Sequence, residues 1–541
     1  LDFGIWISFE LWALKFGIFN TAYYISWIEV KMVLLDGKFL TVETLASIAQ
    51  STPGGLEVRL SPSVFDKLNK VRRLIQEAVS GQKVIYGVTT GFGALSTVVL
   101  SKEQAKYLQR NILLSHSAGV GAHFDLETTR AIMALRAHGL TRGYSGVRPE
   151  TLQLLVEMIN KGVCPVIPQK GSVGASGDLA PLAHMGLVLI GEGEAFYQGE
   201  RLSGREAMRR AGLTTLQLEE AEGLALINGT QVMTAVGALV VHEAVHLMKA
   251  ADIAAGMSLE VLMGSNTQLN PKIHTVRPHP GQALTAENLR RLTVDSAIIS
   301  SHKDCTRVQD AYSIRCIPQV HGASRDALGY THKVITTEMN SATDNPLFFA
   351  ETGEILTGGN FHGQPVALAM DFLSMALAEL ANISERRVER LVNPYLSGLP
   401  AFLIKDPGLN SGLMLAQYTA AALVSENKTL CHPACVDSIP TSANKEDHVS
   451  MGTISARKCR EVLRNTQYVI AIELLCAAQA MDLFTNLKPG RGTLGAYNLI
   501  RQHVSHMEVD RVLSKDIETL YSLVQRGTLV GCVEGNIGGL Q

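Results

Sequence analysis

Three stretches of the 541-residue chain repeat apolar residues at helical spacing over many turns. Residues 226–263 are rich in Ala, Val, Leu and Met, which predicts one long helix. Over residues 366–391 the apolar positions, among them Leu373, Leu377, Leu380, Val388 and Leu391, keep near-heptad spacing until Pro394 ends the helix. A further long helix is expected over residues 457–483. Polar residues are interspersed in these runs, so they suit a bundle core and its subunit contacts rather than membrane spans. Before residue 226 the pattern is shorter and more mixed: a β-like run at residues 83–86 enters a loop with three glycines, and residues 108–121 form a helix ending in small residues.

Composition narrows the class. Hydrophobic residues make up 46% of the chain and the formal net charge is -2. Nothing in that balance calls for nucleic acid or an anionic membrane, and small-molecule chemistry is the natural default. Eight cysteines without a Cys-x-x-Cys pair read as a reduced, cytoplasmic protein. Residues 1–31 hold all three tryptophans and resemble neither a signal peptide nor a membrane span; they read as an extension ahead of a start at Met32. Two metal-like patterns are weak. The spacing of Cys431, His432 and Cys435 is unusual for zinc. His242-Glu243-Ala244-Val245-His246 is a formal His-Glu-x-x-His, but Lys249 and Asp252 stand where a metzincin continues with glycine and histidine. A zinc hydrolase is a remote alternative, and no metal is expected.

The most informative stretch is residues 168–184, with Ala175-Ser176-Gly177 at its centre. If the Gly177 amide attacks the Ala175 carbonyl and two waters leave, Ser176 becomes a methylidene on an imidazolone ring, an electrophile made without an external cofactor. Small side chains and flanking glycines permit the compressed backbone this needs. Asp178 is expected to cap a helix with Pro181 in its first turn, which would place the electrophile at the positive end of a helix dipole. The stretch resembles the signature of the aromatic amino acid ammonia-lyases and aminomutases that use this self-made methylidene-imidazolone (MIO).

That resemblance extends over nearly all of residues 32–541 and assigns roles to several motifs. Tyr86, on the glycine-rich loop Tyr86-Gly87-Val88-Thr89-Thr90-Gly91-Phe92-Gly93, matches the family's general base. Ser115-His116 matches the pair facing the substrate side chain, and Ser-His there points to the members that act on histidine; some aminomutases share it. Asn228 and Phe361 match residues lying against the imidazolone. Gln309, Tyr312 and Arg315, spaced i, i+3, i+6, resemble the carboxylate-binding segment, where an arginine fork suits a carboxylate. Glu426 is expected at the imidazole end, where a carboxylate disfavours an apolar ring but accepts an imidazole N–H. Gly363-Gln364 departs from the Ala-Glu of many relatives.

The resemblance therefore implies a mainly α fold of fumarase/aspartase-like architecture. A smaller mixed N-terminal domain, residues 32–225, would carry the active-site loops, and a long helical bundle would span residues 226–541. It implies cytoplasmic deamination of L-histidine to trans-urocanate and ammonia, with Tyr86, Tyr312 and the Ala175-Ser176-Gly177 ring catalytic, in a homotetramer whose sites are shared between chains. Either amine addition or attack of the substrate ring on the methylidene is open. Alternatives are a tyrosine or phenylalanine ammonia-lyase, an aminomutase, or a non-catalytic helical scaffold.

Overall fold

The computed structural model describes residues 32–302 and 308–541, so the expected extension at residues 1–31 lies outside the described residues. The described chain is mainly helical, as the apolar periodicity requires. Its sheets are small, and apart from the hairpin of Leu347–Phe349 and Glu354–Leu356 they lie in the N-terminal part. Met32–Leu35 pairs in parallel with Glu57–Leu60, Met32 opposite Glu57. Glu194–Tyr197 lies between Cys164–Pro165 and Glu200–Ser203 in an antiparallel trio. Val120–His123 pairs antiparallel with Pro168–Lys170.

Helix α1, Lys102–His116, starts at a reciprocal capping box: the Gln104 amide donates to Ser101 Oγ and the Ser101 amide to Gln104 Oε1. Helix α2, Leu126–Thr141, is capped by Asp125, whose Oδ1 accepts from Thr128 N at 2.7 Å. Helices α3, Leu179–Leu189, and α4, Glu222–Ile227, come next. The single helix expected from residue 226 is in fact broken. Asn228 is extended (φ -87°, ψ 109°) and Gly229 has φ 151°, so the long helix α5 begins at Gln231 and runs to Val261. The expected domain boundary after Ala225 falls inside α4.

The central layer adds α6 (Ile317–Met339), α7 (Gln364–Val392), α8 (Met414–Leu430) and α9 (Gly452–Met481). Helix α9 packs along α7 and α5, and α6 packs on α7 and α5. Helix α5 is buried on nearly every side, which explains why its sequence lacks a polar stripe. α5 and α7 are long and apolar enough to cross a membrane, but 78% and 61% of their apolar windows are buried inside the protein.

Polar groups tie the bundle together at its centre. Glu473 of α9, fully buried, accepts from Ser258 Oγ of α5 (2.7 Å), Ser384 Oγ of α7 (2.6 Å), and Arg387 Nε and Nη2 of α7 (2.6 and 2.8 Å). Arg387 Nη1 lies 3.4 Å from His321 Nε2 of α6, whose Nδ1 is 2.8 Å from Asp252 Oδ1 of α5. Four helices therefore share one satisfied network, whose members are costly to remove singly. Outside it, apolar side chains remain uncovered: Leu368, Phe372 and Met375 on α7, Tyr330 on α6, and Leu415 and Tyr418 on α8.

Replacing Glu473 with alanine leaves the buried Arg387 guanidinium without its counter-charge. We expect a loss of about 3–5 kcal/mol, read as a lower denaturation midpoint. Glu473→Gln, which keeps hydrogen-bonding capacity, should lose less.

Candidate active site

The strand Pro168–Lys170 delivers the chain into residues 171–178, whose path is fixed by close backbone contact. Gly177 (φ 70°) forms an isolated parallel bridge with Gly229, and a Cβ on Gly177 would overlap the Gly229 carbonyl. The Asp178 amide donates to that same carbonyl at 2.8 Å. Only glycine fits this approach at this φ.

Asp178 stands at the N-cap position of α3, as expected, but its side chain makes no capping hydrogen bond there. Its backbone (φ -107°, ψ 53°) lies outside the β region from which a capping side chain folds back on its own helix. The carboxylate instead reaches the start of α5, where Oδ2 accepts from Val232 N (3.0 Å) and Met233 N (2.8 Å). Oδ1 accepts from Ser172 Oγ (3.1 Å) and from Thr453 Oγ1 of α9. Burial pushes this carboxyl upward, and the four donors oppose that by favouring the ionised form. Ser176 thus lies ahead of the N-terminus of α3 and beside that of α5.

Asn228, at the end of α4, donates from Nδ2 to Ser176 O (3.0 Å) and Oγ (2.6 Å). Its Oδ1 is buried without a partner among the described residues. The residues fit a ring closed from Ala175-Ser176-Gly177: the backbone is compressed against Gly229, the hydroxyl to be lost is held by an amide donor, and an acceptor is left free beside it.

Tyr86, Phe92, Gly93, Ser115, His116 and Glu446 join Ser176 around a cleft of about 400 Å³. The β-like run before Tyr86 is not a strand. Thr89 Oγ1 accepts from Ile85 N (2.8 Å) and donates to Lys83 O (2.9 Å), closing it into turns. Tyr86 Oη accepts from Gly93 N at 3.1 Å. Burial raises the phenol's pKa, the Gly93 amide works against that rise, and Glu446 adds to it. Ser115 Oγ lies 3.0 Å from His116 Nδ1 at the end of α1. Burial holds the His116 imidazole below its usual range and so favours the neutral ring.

The carboxylate in this cleft is Glu446, which sequence reasoning missed. Within one chain Glu426, exposed on α8, accepts from Asn465 Nδ2 at 3.0 Å and, like Gln309, Arg315 and Phe361, does not line this cleft. Glu446 sits on a loop closed by the Thr441–Glu446 bridge, and Thr441 Oγ1 donates to its Oε2 at 2.9 Å. That loop grips the tyrosine loop, because Ser442 Oγ accepts from Ala94 N at 3.1 Å. Two glutamates twenty residues apart look alike in sequence. The one usable signal was that 442–447 is a polar loop between two helices, whereas Glu426 has helical neighbours.

Within one chain the remaining candidates lie elsewhere. Gln309 and Arg315 line a second cavity, of about 900 Å³. The helical turn there is Tyr312–Arg315, which leaves Gln309 outside it. Tyr312 is 71% exposed, with the Arg315 guanidinium 4.8 Å from its ring centre. Phe361 is half-buried on the loop before α7 and does not line the cleft. His242 and His246 have ring centres 5.3 Å apart, and Glu243 accepts from Gln467 Nε2 at 2.9 Å. Among the described residues no group of three or more His, Cys, Asp or Glu is placed to hold a metal.

A helical bundle presenting a compressed Ala-Ser-Gly turn to a tyrosine loop defines a class of lyase, and residues 40–502 match the family described as aromatic amino acid lyase. The chain belongs to that family. It is 56% identical over 509 residues to the histidine ammonia-lyase of Gloeobacter violaceus, covering 94% of this chain and 98% of the relative. It is 54% identical over 505 residues to that of Alkaliphilus oremlandii, covering 93% and 99%. Among solved structures it resembles histidine ammonia-lyase from Trypanosoma cruzi (TM-score 0.87, 43% identity, 94% and 96% covered). It also resembles tyrosine aminomutase from Streptomyces globisporus (TM-score 0.89, 39% identity, 94% and 100% covered).

With its pKa raised, Tyr86 is protonated at neutral pH, and its ionised fraction grows about tenfold per pH unit below that pKa. A profile of kcat/KM should therefore climb into the alkaline range. Because His116 is held below its ordinary value of about 6.5, no inflection should appear there. Tyr86→Phe should lower kcat by about 10²–10⁴-fold.

Proposed function

We propose that this chain is a histidine ammonia-lyase, converting L-histidine to trans-urocanate and ammonia. The observation that carries the reading is the pairing of Glu446 and His116 in the cleft that also holds Ser176 and Tyr86. A neutral imidazole offers one N–H and one lone pair. Glu446 accepts the first, and His116 donates from Nε2 to the second when Ser115 Oγ donates to Nδ1. An apolar ring would leave both groups desolvated and unpaired, which works against phenylalanine.

The β-hydrogen of an amino acid is barely acidic and its nitrogen leaves poorly, so the reaction needs a base and an electron sink. The MIO ring formed from Ala175-Ser176-Gly177 supplies an electrophilic carbon that makes the amine a competent leaving group, without an external cofactor. Tyr86 removes the β-proton, with the Gly93 amide stabilising the phenolate. Asn228 holds the Ser176 side of the site through Nδ2. Arg315, assisted by Gln309 and Tyr312, grips the substrate carboxylate.

Arg315 and Ser176 line different cavities of one chain, so this division of labour requires that neighbouring chains complete each site. The uncovered apolar faces of α6, α7 and α8 support a homotetramer as the assembly. Phe361 would enter a neighbouring site in the same way. The cysteine pattern supports a cytoplasmic location.

Ultraviolet absorbance during incubation with L-histidine, L-tyrosine and L-phenylalanine, with Ser176→Ala as control, tests the reading. Urocanate made only by the intact protein is expected; cinnamate, coumarate or a β-amino acid would overturn the choice of substrate. Glu446→Gln should lower kcat/KM for histidine by about 10–100-fold, the worth of a hydrogen bond to a charged group.

A further inference from the structure

Behind the Ala175-Ser176-Gly177 turn stands a buried guanidinium that the reaction itself does not use. Arg136 of α2 is only 2% exposed, and it bonds residues on both sides of the Asn228-Gly229 break. Its Nη2 donates to the carbonyl of Ala225, near the end of α4. Its Nη1 donates to Gln231 Oε1 at 2.7 Å, and Gln231 Nε2 in turn donates to Thr343 Oγ1 at 2.9 Å. Asp344 Oδ2 lies 3.6 Å from Nη2; burial pushes its carboxyl up to about 7, and the guanidinium opposes that rise.

These groups form the far wall of Gly229. A Cβ there would meet Gln231 Oε1, Arg136 Nη1 and Thr343 Oγ1, while its carbonyl faces Gly177 and accepts from Asp178 N. Gly229 is thus held between Arg136 and Gln231 on one side and Gly177 on the other, and it cannot retreat from the turn.

We propose that Arg136, acting through Gln231, is a positioning residue for ring formation. It fixes Gly229, and through it the bend at Gly177 that brings the Gly177 nitrogen toward the Ala175 carbonyl. The inference rests on the proposed function, since the ring is part of that reading. In the closure a bond forms between Gly177 N and Ala175 C. The carbonyl oxygen leaves as water with the amide hydrogens of Gly177 and Ser176, and a C=N bond results. The Ser176 hydroxyl then leaves with the hydrogen on its own Cα as a second water. No oxidant or reductant is involved. An intramolecular attack of this kind depends steeply on approach geometry: a shift of about 1 Å costs about 100-fold in rate.

Intact-mass spectrometry during cell-free synthesis reads closure directly, as loss of the mass of two waters, independently of turnover. The parent chain should lose both and Ser176→Ala neither. Arg136→Met should fold, judged by its helical circular dichroism and oligomer size, but close about 100-fold more slowly; Arg136→Lys should recover part of the rate. Gln231→Leu, which retains the arginine, should also be slow and carries the test if Arg136→Met does not fold. Folded Arg136→Met or Gln231→Leu chains that lose both waters as fast as the parent would overturn the inference and spare the proposed function. A parent that keeps both waters would overturn the two together.

Discussion

Everything at the catalytic end depends on one buried carboxylate. Asp178 accepts from the first amides of α5, from Thr453 on α9 and from Ser172, and its own amide is bound to the Gly229 carbonyl. Charge in a dry interior is tolerated only when it is fully partnered. The partners here belong to two central helices and to the turn itself. A flexible glycine-rich segment is thereby bolted to the stiffest part of the molecule. Without that bolt, the small residues that permit an unusual backbone would equally permit many others.

The bundle supplies the stiffness. Glu473, Arg387, His321 and Asp252 thread four helices through their middle, where a polar network fixes register more sharply than apolar contact does. The candidate site is left to loops and helix ends: the tyrosine loop, the end of α1, the Asn228 break and the loop of Glu446. This separation between a rigid scaffold and short irregular pieces is how a helical protein can place groups from distant parts of its sequence around one cleft.

Much of this was legible in the sequence because the signals were local. Apolar spacing gave α7 and α9 to within a few residues, Ala175-Ser176-Gly177 stood out by its small residues and flanking glycines, and the family resemblance pointed to Tyr86, Ser115 and His116, which line one cleft with Ser176. What was illegible depended on tertiary contact. The break at Asn228 and Gly229 falls inside a run with helical spacing of apolar residues, and it is where Gly229 bridges to Gly177. Asp178 carries the right residue type for a cap, but its acceptor atoms serve a helix more than fifty residues away. Glu446 and Glu426 differ only in where their segments are placed, and Arg136 looks in sequence like any other helical arginine although its helix is buried on nearly every side.

The hydrogen bond from Ala94 to Ser442 joins segments 348 residues apart in sequence. It ties the loop that carries Tyr86 to the loop that carries Glu446, so two walls of the cleft behave as one mechanical unit, and a substitution that reshapes either loop also shifts the other.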